Sequence, residues 1–148
     1  MTPPRGKTPL ALAAAVSAAA LLLAACSGSS SGGDITAVKV AEQLETFDCT
    51  NIESDRQEDD EGNTYTVVSC ELGSSGGIAV NVADSAEDFT AIKAFACSDV
   101  VGNEEAAGLQ VAYGDNWLGI AISTTGVGAQ DLADSLGGTV GSIQDFCS

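Results

Sequence analysis

Histidine is missing from the 148 residues altogether. Its absence removes the usual general base near neutral pH, imidazole-activated serine and cysteine nucleophiles, and histidine-ligated zinc. Proline stands only at positions 3, 4 and 9, so no residue beyond Pro9 lacks a backbone N–H or carries a locked φ. Aromatic residues make up 5% of the chain, with a single tryptophan, Trp117. Basic residues are equally scarce, at five against 21 acids. Two of the five, Arg5 and Lys7, precede every acid, and from Cys26 onward only Lys39, Arg56 and Lys93 face the 21, a net charge of −18. A surface so charged repels nucleic acid and anionic headgroups. No apolar run is long enough to span a bilayer either. The longest, Leu10 to Leu23, falls short of the roughly 20 residues a spanning helix needs, and Ser17 interrupts it.

What that run does resemble is the core of a secretion signal, with Arg5 and Lys7 as its basic stretch. It closes on Leu23-Ala24-Ala25-Cys26. These residues resemble the lipobox of bacterial lipoproteins. The resemblance implies a leader over 1–25 cut before Cys26, and a Cys26 thiol carrying diacylglyceryl, with palmitate-type chains. Ser27 to Gly33 holds only serine and glycine, the composition of a flexible tether. Residues 26–33 are therefore expected to hang a domain, residues 34–148, from the extracytoplasmic face of the cell membrane. Two acyl chains suffice for stable anchoring where one is marginal.

Removing Cys26 leaves Cys49, Cys70, Cys97 and Cys147, an even set suited to an oxidising compartment. No Cys-x-x-Cys pair suggests a redox or zinc site. Four cysteines admit three pairings, of which Cys49 with Cys70 and Cys97 with Cys147 are expected. The first would staple the end of a helix to a hairpin, and the second would tie down the C-terminus. Residues 34–148 suit one small domain and are too few for two.

Helical periodicity marks three segments. Ala37, Val40, Leu44 and Phe47 share one face of a helix over about 36–47. Ser85-Ala86-Glu87-Asp88 has capping-box spacing ahead of the stripe Phe89, Ile92, Ala96. Leu132 and Leu136 lie one turn apart before Gly137-Gly138, which should end the third helix. Between them the period drops to two. Thr66 to Leu72 and Ile78 to Val82 flank a glycine-rich turn, and Leu109 to Tyr113 and Leu118 to Ile122 flank Gly114-Asp115-Asn116, giving two hairpins. Phe47-Asp48-Cys49 and Phe95-Ala96-Cys97 end the first two helices at matching points. The expected fold is therefore α+β, a four-stranded antiparallel sheet made of two helix-hairpin units with all helices on one face. Glu53, Asp55 and Glu58 to Glu61 are expected in a solvated loop. They lack the alternating register of an EF-hand, Arg56 interrupts them, and they point to no metal site.

The Gly114-Asp115-Asn116-Trp117 turn and the acidic, Ala- and Gly-rich composition resemble small lipoproteins of high-GC Gram-positive bacteria, a group whose likeness implies no particular activity. The chain reads as no enzyme and as needing no cofactor. The function expected is a non-catalytic envelope binding or interaction module with a protein or cell-wall partner. The alternatives are an accessory subunit of a membrane complex and, further off, a small enzyme. If Val68, Ile78, Val80, Val111, Ile120 and Ile122 face the helices, then Ala79, Asn81, Gln110, Ala112, Gly119, Ala121 and Ser123 form an uncharged outer face. Tyr65, Val67, Trp117 and Ala121 are its candidate partner contacts, since aromatics carry much of the energy of interfaces.

Overall fold

The computed structural model describes residues 34–98 and 100–148. The leader, Cys26 and the serine-glycine tether lie outside them. The elements run α1 (Ala37–Leu44), continued by a 3₁₀ turn (Glu45–Phe47), then β1 (Thr50–Glu58), β2 (Thr64–Leu72), β3 (Gly76–Ala83), α2 (Ala86–Ser98), α3 (Glu104–Ala107), β4 (Gln110–Tyr113), β5 (Trp117–Ile122), α4 (Ala129–Leu136), β6 (Thr139–Ser142) and α5 (Ile143–Cys147).

All three expected helices form, and local signals set their ends. Thr36 caps α1 by accepting from the Lys39 N–H, and Ser85 accepts from the Asp88 N–H at the head of α2. Gly137, at φ 75°, closes α4 with its N–H on the Ala133 carbonyl. Both hairpins form as well, β2–β3 and β4–β5, each antiparallel.

The sheet has six strands, not four, in the order β1-β2-β3-β5-β4-β6. The two extra strands are its edges. β1 takes up most of the acidic segment expected to be a loop, and its residues are exposed apart from Ile52. A strand whose two faces are both solvated has no apolar alternation to betray it. Asn51, at φ 53°, sits where the β1–β2 register slips between Thr50 and Glu53. The geometry is that of a β-bulge. β6 is only four residues long.

Helices cover both faces, which corrects the one-sided expectation. On the first face, Val68, Cys70, Ile78, Val80, Val82, Ala112 and Trp117 pack with Val40 and Leu44 of α1 and Leu132 and Leu136 of α4. On the second, Ala83, Val111 and Leu118 pack with Ile92 of α2 and Ile143 and Phe146 of α5. The cause is the β3–β5 register, which sets Val80 opposite Gly119 and Asn81 opposite Leu118. The second hairpin therefore enters with the phase opposite to that expected. Its large residues Leu118 and Ile120 share a face with Ala79 and Asn81, while Gly119 and Ala121 lie beside the bulky Ile78 and Val80. Each face then carries apolar surface that needs its own cover. The helix-hairpin likeness of the two halves stops at this point: Phe47 packs on the first core, whereas Phe95 is 74% exposed.

Cys49 is bonded to Cys70 and Cys97 to Cys147, with Cα separations of 5.6 and 5.7 Å. They close sequence separations of 21 and 50 residues. Chain entropy alone values such loops at about 3 and about 4 kcal/mol. Both cores and both bridges lie within residues 34–148.

Candidate functional site

The second face leaves apolar surface open at Phe95 and Ile122. Helix α2 crosses it, fastened at both ends. At its head, the Asp88 carboxylate accepts from the Ser85 hydroxyl at 2.6 Å and from the Thr64 N–H at 2.8 Å, tying the helix to the start of β2. These bonds, the Ser85 hydroxyl first, hold the Asp88 carboxyl below its ordinary pKa. At its tail, the Cys97–Cys147 bridge ties it to α5. Phe89 and Lys93 meet Phe146 of α5, the ring edge-on with centroids 6.2 Å apart and the ammonium 5.2 Å above the ring.

Between the body of α2 and the sheet runs a groove of about 400 Å³. Its floor is Tyr65 of β2, Asn81 of β3 and Leu118 and Ile120 of β5. Ala91, Ile92, Phe95 and Ala96 of α2 form one wall, and Val100, Leu109 and Ile143 close the far end. Small side chains at Ala91 and Ala96 keep it open. Its volume lies within the range of small-molecule sites, roughly 300–1,000 Å³. Asp59 of the β1–β2 turn stands at its rim. That carboxylate accepts from the Glu61 and Asn63 N–H groups, both at 2.9 Å, and from the Asn63 side-chain amide at 2.8 Å. The Asn63 amide above all holds the Asp59 carboxyl below its ordinary pKa.

Past Ile120 the face continues into a shallow depression lined by Ser75, Gly77, Ala79 and Ile122, with no helix residue in its lining among the described residues. Ile122 is 62% exposed there.

The structure divides the four residues expected to contact a partner. Tyr65 lines the groove, and Val67, two residues along β2, is half-buried on the same face. Trp117 and Ala121 belong to the first face instead. The Trp117 indole is 1% exposed, seated against Gly114 and Gly138, where any Cβ would collide with its ring. A Cβ at Gly119 would likewise stand 2.6 Å from Leu132 of α4. Trp117 is thus a core plug, and Ala121 packs against the same core. The register that inverted the second hairpin turned both toward the first face. The second face presents Phe95, Ile120 and Ile122 instead. Sequence reasoning missed them because a bulky residue in a helix or strand pattern reads as core.

Among the described residues no three acidic or cysteine side chains converge as a metal site, and no helix there is long and apolar enough to cross a membrane. Comparisons with protein-family models, curated proteins and solved structures find no match to this chain.

Proposed function

We propose that the chain is a lipoprotein held at the extracytoplasmic face of the cell membrane through acylated Cys26, and that it acts as a non-catalytic envelope binding module. Its partner is a protein or cell-wall component that docks on the helix-free part of the second face. One observation carries this reading: in a domain bearing 21 acids, the strip formed by Ala79, Ile120 and Ile122 holds no charge, lies open, and exposes a large apolar side chain. Uncovered apolar surface of this kind marks interaction sites. The lipobox at Leu23 to Cys26 and the serine-glycine segment behind it support the anchor.

The test uses the lipidated chain and an Ile122→Arg variant in cross-linked pull-downs from envelope membranes. Ile122 is exposed, so the variant should keep its stability within about 0.5 kcal/mol. It should lose most of the partner captured by the wild type. Equal capture by the two would remove the strip as the docking site. A Cys26→Ser chain that still incorporates a fatty-acid label would remove the anchor.

A further inference from the structure

The groove beneath α2 meets the open strip at Ile120 and has a polarity of its own. Strand order places its contents. Tyr65 and Asp59 come from the β1–β2 side, Asn81 from β3, Leu118 and Ile120 from β5, and Leu109 and Ile143 from beside β4 and β6. From β2 to β4 the groove crosses three strand spacings, about 14 Å at the usual interstrand distance. One end is therefore polar and acidic, and the other is entirely apolar.

We propose that this groove binds a single-chain amphiphile with a cationic head, its alkyl chain along Leu118, Ile92 and Ile143 and its ammonium at Asp59. Charge decides the head. The groove lining contains no lysine or arginine. The bases of the domain are occupied elsewhere or distant: Arg56 pairs with Asp84 at 2.7 Å, Lys93 sits over Phe146, and Lys39 is on α1. A carboxylate or phosphate head would meet Asp59 with nothing to balance it, inside the field of a strongly acidic domain. An ammonium gains from both. Asp59 can meet it, since the residue lines the groove at its rim, where an ammonium can approach the carboxylate beside the turn amides that hold it. Tyr65 and Asn81 are the other polar residues of the lining, on β2 and β3. A second copy of the chain is the disfavoured occupant, because two such acidic domains repel.

The experiment uses residues 34–148, oxidised and free of detergent. The uncharged fluorophore N-phenylnaphthylamine is bound first and displaced below micellar concentrations by dodecylamine, dodecanol or dodecanoate. Dodecylamine should displace about fivefold better than dodecanol, the advantage of one exposed ion pair, and dodecanoate should be the weakest. In Asp59→Asn, which barely alters the total charge, the amine should lose most of its advantage over the alcohol and keep only what the general field of the domain supplies. Ala91→Trp, narrowing the groove from the helix wall, should weaken all three. Ile122→Arg should change none of them, so the docking strip and the groove stand or fall separately. Dodecanoate binding as well as dodecylamine would overturn the proposal. So would an amine preference undiminished in Asp59→Asn, or a folded protein that takes up no probe.

Discussion

Asn116 sits at 8% exposure in the β4–β5 turn and joins three distant pieces of chain. Its side-chain oxygen accepts from the Ile35 N–H at 2.9 Å, and its amide donates to the carbonyls of Ile35 at 2.9 Å and Ala83 at 3.1 Å. The segment leading into α1 is thereby held against the end of β3. Asn116→Ala would leave buried backbone groups unpaired, a loss of about 2 kcal/mol. Denaturant unfolding should show that loss, and amide exchange at Ile35 should quicken. Unchanged exchange would mean that the Ile35 side chain, 4% exposed, holds the segment unaided. The sequence made the turn legible through Gly114-Asp115-Asn116, yet the role of Asn116 depends on a partner 81 positions away. Trp117, next to it, read as a surface anchor for the same reason: nothing local says which face of a strand will be covered.

At the scale of elements, the helices were the most legible, because capping and the 3.6-residue period act between near neighbours. Thr36, Ser85 and Gly137 each mark an end that the structure keeps. The edges of the sheet were the least legible. β1 carries Glu53, Asp55 and Glu58 on an exposed strand, and charge on an edge deters pairing with another chain. Replacing all three by threonine keeps β propensity while removing that deterrent. Each exposed substitution should shift stability by no more than about 0.5 kcal/mol. The apparent mass in size-exclusion chromatography should nonetheless rise with concentration, where the wild type stays constant. If the triple variant remains monomeric at millimolar concentration, the acids of β1 do not guard the edge.

For the whole molecule, two electrostatic effects oppose each other as pH falls. General repulsion among the 21 acids relaxes as carboxylates begin to protonate, which favours the compact state. Asp59, Asp88 and Asp145 work the other way. Each is held below the ordinary 3.8 by hydrogen bonds, those from the Asn63 amide, the Ser85 hydroxyl and the Ser142 hydroxyl coming first. A carboxyl whose folded pKa is depressed contributes stability above its unfolded value and loses it as pH falls through the folded value. Tm should therefore climb from pH 7 toward about 5 and fall again below about 4. Asp88→Asn should flatten the acid limb, and screening salt should raise Tm most at pH 7. Calorimetry across pH and salt checks both limbs. A Tm that falls steadily from pH 7 would show that repulsion is a minor influence.

The sequence by itself determined what neighbouring residues decide: the ends of three helices, two hairpins and an α+β composition. Each follows from periodicity or turn chemistry. Tertiary structure decided which surface is inside. A period of two fixes that alternate residues share a face but leaves open which face meets which helix, and a shift of one residue exchanges them. That choice was made by the β3–β5 pairing, Val80 against Gly119, between segments nearly forty residues apart. It drew Trp117 into the core, turned Ile120 and Ile122 outward, and left a groove under α2 because the helix is fastened at both ends over a floor of mixed large and small side chains.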